Sequence, residues 1–465
     1  MNTPIYDFLT AYAKSGTARL HMPGHKGQPR LGCEALDITE IAGADELYRA
    51  EGIIGESERN AGACFGSGAT YYATEGSSQC IRAMLYLALY ARPAGREPLI
   101  LAARNVHKSF VYAAALLDFR IAWLWPAGSH SLCSCPVTPE ALEQALESLP
   151  TPPVAVYLTS PDYLGGMADI RAMADICHRH GTWLLVDNAH GAYLHFLPTP
   201  CHPLDLGADL CCDSAHKTLP VLTGGAYLHL SSHLPPAFFE KAREALALFG
   251  STSPSYLTLA SLDLCNRSLS PDNQAFRAEL ADTVGALACL RAQLNRAGWH
   301  TLVSDPLRLT VCMPRGLSGH QVMDKLRRAG VEGEYADRDF LVLMATQENT
   351  ADDLARLAAA LGGNTLPYGD AYGDAYGEEP SLPRPGGVQV MSVRQALFSV
   401  QETVAVEDAL GRICGAPTVS CPPAIPIAVS GERIGPEELE LFRYYGISSV
   451  EVVKATDFFK KTLIE

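Results

Sequence analysis

The chain has 465 residues, of which 48% are apolar and 19% charged, enough for a large buried core and more than one domain. Its formal net charge is −15; no basic surplus exists to meet phosphates, which argues against nucleic-acid binding as a main role. The longest apolar run, AMLYLALYA at 83–91, is too short to span a bilayer.

Residues 1–16 are expected to form a short amphipathic helix ended by Gly16, without the basic and apolar regions of a signal peptide. Residues 17–60 carry HMPGHKG at 21–27 and DELYRAEGIIGESE at 45–58. They are expected to be irregular and to need partners outside themselves, such as a neighbouring subunit. From about residue 80, helices and apolar strands alternate. Helices are expected at 77–91, 109–118, 138–149 and 169–181, and strands at 98–103, 120–125, 154–160 and 183–189. Thr138 and Pro139 open the third helix as N-cap and first residue, and Gly181 closes the fourth. The strands are near-continuous apolar runs, as in a sheet covered on both faces. The alternation predicts a mostly parallel α/β sheet.

After about 285 the pattern changes to a smaller α+β region, with RLTVCMP at 308–314, GHQVMDKLRRAG at 319–330 and FLVLMAT at 340–346. The repeat and Pro/Gly run at 368–387 reads as a linker or surface loop, and a strand is expected at 425–429. The organisation expected is an N-terminal arm at 1–60 that contributes to a dimer interface, a large domain at 61–290, a small domain at 291–367, the linker at 368–387 and a C-terminal domain at 388–465. Fourteen cysteines are scattered along the chain. Cys133-x-Cys135 and Cys211-Cys212 fit neither a disulfide framework nor a zinc spacing. Free thiols in a cytoplasmic protein are the better reading, and no metal is expected.

In a parallel α/β sheet, sites form at the carboxyl ends of strands. WLLVD brings Asp187 to such an end, where it serves as cap, metal ligand or partner of a cationic heterocycle. Lys217 follows thirty positions later in CCDSAHKTLPVLTGG, flanked by Ser214 and His216. A partly buried lysine loses its proton cheaply and can attack a carbonyl carbon, although a lone lysine is more often a solvated side chain. TEGSSQC at 74–80 places Gly76, Ser77 and Ser78 at a helix start, either as an anion site or as a plain N-cap. RNVHKS at 104–109 sets His107 at a strand end, able to stack on an aromatic ring.

Taken with LHMPGHKG, LLVDNAHGAY, DSAHKTLP and PPAIPIAVSGERI, these segments resemble the fold-type-I, pyridoxal-phosphate-dependent ornithine/lysine/arginine decarboxylases, in the short form without an N-terminal wing domain. The resemblance covers most of the chain. It implies an α/β fold like that of aspartate aminotransferase, with a large, mostly parallel seven-stranded sheet and a smaller C-terminal α+β region. It implies pyridoxal 5'-phosphate as cofactor, attached through Lys217, with Asp187 on the ring nitrogen, His107 stacked on one ring face and Ala189 on the other. His190 joins the cofactor-binding set, and Ser77, Ser78, Ser214 and His216 hold the phosphate. Ser251, Thr252 and Ser253, in STSPSY, would reach the cofactor of a second subunit in a homodimer or larger assembly. The activity implied is decarboxylation of a basic amino acid to a di- or polyamine, with arginine first and lysine or ornithine close behind. Glu432 and the acidic residues of 45–58 are candidates for the distal cation of the substrate. TEGSSQC, DNAHG and CPPAIPIAVSGE depart from the usual family pattern. An aminotransferase or lyase on the same scaffold is the alternative, with Arg308 as carboxylate clamp, and a non-catalytic relative is a third reading.

Overall fold

The computed structural model describes residues 1–126, 131–362, 382–419 and 424–455. The linker expected at 368–387 lies outside them up to residue 381, as does Cys421.

In chain order the first elements are α1 (Pro4–Lys14), α2 (Ile53–Phe65), β1 (Ala69–Ala73), α3 (Ser77–Tyr90), β2 (Leu99–Ala103), α4 (Lys108–Leu117) and β3 (Arg120–Leu124). Next come α5 (Pro139–Ser148), β4 (Ala155–Thr159), α6 (Ile170–Arg179), β5 (Trp183–Asp187), β6 (Leu210–Asp213), the one-turn helix α7 (Ala215–Thr218), β7 (Ala226–Leu230), α8 (Pro236–Ala247) and α9 (Tyr256–Leu269). The long helix α10 (Gln274–Arg296) precedes β8 (His300–Thr301), β9 (Arg308–Cys312), α11 (Gly319–Arg328), β10 (Tyr335–Ala336), β11 (Phe340–Met344) and α12 (Ala351–Gly362). The last are α13 (Val393–Leu397), β12 (Gln401–Ala405), β13 (Thr418–Val419), β14 (Pro426–Ala428), α14 (Pro436–Tyr444) and β15 (Ser449–Val453).

Strands β1 to β7 form one seven-stranded sheet in the order β1-β7-β6-β5-β4-β2-β3. The β2/β3, β4/β5 and β5/β6 pairs are parallel, and β7 runs antiparallel to both β1 and β6. This is the mostly parallel sheet expected from the alternation. The helix ends follow local chemistry: the Thr138 hydroxyl accepts the Ala141 N–H at 3.2 Å, and Asp169 caps α6 through the Ala172 N–H at 3.1 Å.

Contacts divide the chain into two units: 1–96, 154–160 and 169–282, and 97–153, 161–168 and 283–465. In the first, α2 corrects the expectation of an irregular 17–60. Its inward stripe is Ile54, Ser57, Glu58, Ala61, Cys64 and Phe65, all buried at helical spacing. Ser57 and Glu58 hid that stripe, because polar residues at core positions break the apolar pattern. Both are paired: Ser57 meets Tyr72 at 2.7 Å and Asp263 at 2.5 Å, and Glu58 meets Arg243 at 2.5 Å. Asp263 also accepts the N–H groups of Ile5 and Tyr6 at 2.9 and 3.0 Å, and so holds α1.

In the second unit, β8 to β11 form an antiparallel sheet in the order β10-β11-β9-β8. A separate cluster packs Val406, Ile427, Ile434, Phe442, Val450 and Val452 between β12, β14, β15 and α14.

Candidate active site

β5 is buried except for its first residue and delivers Asp187 at its carboxyl end, 3% exposed. The carboxylate accepts the Tyr157 hydroxyl at 3.2 Å and the Ala189 N–H at 3.2 Å, with the Cys212 thiol at 3.7 Å. Burial pushes the Asp187 pKa up, and the Lys217 ammonium pulls the other way. The neighbouring strand β6 ends at Asp213 and runs through Ser214 into α7, which carries His216 and Lys217. Lys217 Nζ lies 3.0 Å from His190 Nε2, three residues beyond Asp187. Parallel pairing of β5 with β6, with Asp187 opposite Cys212, thus sets the DNAH and SAHK segments side by side.

The start of α3 forms the next wall. Its N-cap is Gly76, at φ +72°, and no side chain caps the helix, so Ser77 and Ser78 are not the plain caps that the sequence left open. The Ser214 hydroxyl donates to Ser77 Oγ at 2.8 Å. Gly76 N–H donates to Gly224 O at 2.8 Å, which ties this turn to the Gly-Gly pair after Lys217. His216 Nδ1 lies 3.0 Å from Gly225 O and must carry the proton there, because a carbonyl only accepts. Burial lowers the His216 pKa, against the stabilising carbonyl. The arrangement offers uncapped helix N–H groups, two hydroxyls, an imidazole, an amine and a buried carboxylate, which together suit an anion at one end and a cationic ring at the other.

The remaining expected residues divide. Ala189, 7% exposed, and His190, 5% exposed, stand in the same segment as Asp187. Ser251, Thr252 and Ser253 are exposed, and the Ser251 N–H donates to Glu75 at 2.6 Å. His107 belongs to the second unit, where it caps α4 and accepts the Ser109 N–H through Nδ1 at 3.2 Å.

Several candidates are committed elsewhere. Glu432 is not a surface charge: it is 1% exposed, 3.3 Å from Arg104, and accepts the Val429 N–H at 2.7 Å. Arg308 is equally buried, 3.1 Å from Asp305, and donates to the carbonyls of Asp162 and Tyr163 at 2.5 and 2.8 Å. Within 45–58, Asp45 accepts five N–H groups, from Glu46, Glu51, Gly52, Ile54 and Gly55, and Glu58 is spent on Arg243.

Sequence reading missed a fully buried cluster beneath the lysine. Asp213 receives His202 Nε2 at 3.0 Å, His229 Nε2 at 3.2 Å and Asn188 Nδ2 at 2.6 Å. Thr70 Oγ1 meets His229 Nδ1 at 2.8 Å. Burial alone would raise the Asp213 pKa, but the two histidines outweigh it and hold the carboxyl well below the usual carboxylate range. The one signal in the sequence was a carboxylate closing an otherwise apolar strand. Asn188 carries the consequence outward, since it directly follows Asp187 and its amide donates to Asp213.

Comparison with known proteins agrees with this geometry. The model of the Orn/Lys/Arg decarboxylase major domain matches residues 3–304. An uncharacterized protein of Bacillus subtilis strain 168, YaaO, is 30% identical over 95% of this chain and 93% of its own length. An arginine decarboxylase of Bacillus anthracis is 28% identical over 95% of this chain and 92% of its own. In fold, the constitutive lysine decarboxylase of Escherichia coli superposes with a TM-score of 0.76 at 19% identity, covering 97% of this chain and 82% of that one. With the family model spanning well over half its length, and a strand-end carboxylate and lysine set side by side at the core of the matched region, the chain belongs to the Orn/Lys/Arg decarboxylases, the enzymes that remove CO2 from basic amino acids.

Proposed function

We propose that the protein is a cytoplasmic, pyridoxal-phosphate-dependent decarboxylase of a basic amino acid, arginine first and lysine or ornithine next. The observation that carries this is the pair of adjacent segments that present Lys217 and the buried Asp187. The residues present fit the cofactor. A carboxylate 3% exposed is costly when ionised unless a cation meets it, and a protonated ring nitrogen is such a cation. The uncapped start of α3 with the Ser77 and Ser214 hydroxyls suits a phosphate. In this reading Ser77, Ser78, Ser214 and His216 hold the phosphate, Ala189 packs on the ring, and Thr252 serves the site of a second copy of the chain.

Pyridoxal phosphate, when bound, supplies the electron sink that takes up the pair left on Cα as CO2 departs. The protein's part is orientation and proton control. Asp187 keeps a proton on the ring nitrogen. His190 Nε2, 3.0 Å from Nζ, accepts a hydrogen bond from Lys217 and aims the amine. Lys217 would hold the cofactor through its amine, the nucleophile that the site supplies.

An arginine substrate is favoured by relatives that bear the name arginine decarboxylase, among them that of Bacillus anthracis. The aminotransferase alternative loses support, because Arg308, its carboxylate clamp, is engaged by Asp305 and two carbonyls. Self-association is supported by Leu20, Met22 and Leu31, which are 96%, 65% and 89% exposed in the N-terminal arm. A cytoplasmic location is supported by thirteen described cysteines that are all free thiols.

The test is purification with added pyridoxal phosphate, followed by CO2 release from arginine, lysine and ornithine. A yellow protein that releases CO2 from one of them, beside a colourless and inactive Lys217→Ala variant, is expected. A parent that stays colourless after the cofactor is added overturns the reading.

A further inference from the structure

Asp209 stands just before β6, at the end of the strand opposite Asp213. Its side chain is wholly buried, yet two imidazoles reach it from the surface. His178, in the last turn of α6, places Nε2 at 3.1 Å from Oδ2, and His233, beyond the end of β7, places Nε2 at 2.7 Å from Oδ1. The rings stand edge to face, with centroids 5.5 Å apart. All three donor atoms lie within 4.8 Å of one another.

We infer that His178, Asp209 and His233 form a binding site for a divalent late first-row metal ion, with Zn2+ the best match. Two nitrogens and one carboxylate oxygen are a donor set such ions accept. Donor atoms around one tetrahedral zinc are about 3.4 Å apart, given bonds of about 2.0–2.1 Å. The pairs at 2.7 and 3.1 Å are made to different oxygens of the carboxylate, so an ion bound by one oxygen keeps one pair, opened by less than an ångström, and draws in the other imidazole from within the 4.8 Å that spans the three donor atoms. The side chains that must move are the ones that can: the imidazoles are 39% and 46% exposed, whereas the carboxylate is held by the Leu184 N–H at 2.7 Å.

Neutral imidazoles enter the site without net proton release. Each moves its proton from Nε2 to Nδ1 and frees the Nε2 lone pair. In His233 the new Nδ1–H then donates to Ser231 Oγ, already 2.7 Å away, the kind of outer hydrogen bond that fixes the tautomer of a ligating histidine. The exposed imidazoles leave the outer face of the ion open to water. The ion joins α6, β6 and the loop after β7 at the sheet end away from Lys217, so its effect is on stability rather than on the reaction.

The test uses tag-free holoenzyme, stripped with a chelator and titrated with Co2+ and then Zn2+ as the chloride salts. Wild-type protein is expected to bind one ion more than the His178→Gln/His233→Gln double variant, with Co2+ absorption bands of nitrogen and oxygen ligation and a Tm that rises with added Zn2+. Ser231→Ala keeps all three ligands and is expected to weaken binding about tenfold, while decarboxylation without metal is unchanged in every variant. Equal metal binding by wild type and double variant, or no binding by folded wild type, overturns the proposal.

Discussion

Asp213 carries more of the site than its silence in the sequence suggests. Asp213→Ala leaves the imidazoles of His202 and His229 and the amide of Asn188 without their acceptor in a wholly buried cluster. Loss of one partner from such a cluster costs about 3–5 kcal/mol, and the urea midpoint should fall accordingly. An unchanged midpoint would remove the cluster from any account of how the lysine is supported. The contrast with Lys217 and Asp187 shows what one sequence displays. Those two stand at strand ends within short, recognisable segments, so position alone marks them. Asp213 gains its meaning from His202, His229 and Thr70, which come from three other segments and carry no pattern of their own. Glu432 fails in the same way, because the arginine that neutralises it lies 328 residues earlier.

At the scale of elements, α2 shows why burial rather than propensity decides a helix. Its polar stripe is satisfied by Tyr72 of β1, the next element, and by Arg243 of α8 and Asp263 of α9, which lie 185 and 206 residues from their partners. The alternating helices and strands from 77 to 187 were legible because each follows a local period and local caps; α2 was not, since its core face contains Ser57 and Glu58. That face also predicts a pH response. Burial raises the Glu58 pKa from 4.5 to about 6, although Arg243 opposes it. A raised carboxyl pKa means the folded protein holds the proton more tightly than the unfolded chain. The resulting stability is fully present below the unfolded value and is lost as pH rises through about 6. Glu58→Gln should flatten the slope of stability between about pH 4 and pH 7, by up to about 2 kcal/mol, as read from denaturant midpoints across that range. A slope identical to wild type would show that Arg243 keeps Glu58 charged throughout.

At the scale of the whole molecule, the proposed self-association is tested at the exposed Leu20 and Leu31. In Leu20→Asp/Leu31→Asp, light scattering should show a shift toward the single chain, with specific activity falling on dilution more steeply than in wild type. An unaltered mass would place the subunit contact elsewhere. The hold of Asp263 on the N–H groups of Ile5 and Tyr6, 258 and 257 residues away, has a consequence for biosynthesis. Helix α1 cannot take its place until residue 263 has left the ribosome. At about 5–20 residues per second, α1 waits more than ten seconds for its anchor, with Ile5 and Leu9 still unburied. Closure of the first unit therefore follows the synthesis of α9, and a stall before residue 263 leaves the apolar face of α1 for a chaperone to shield.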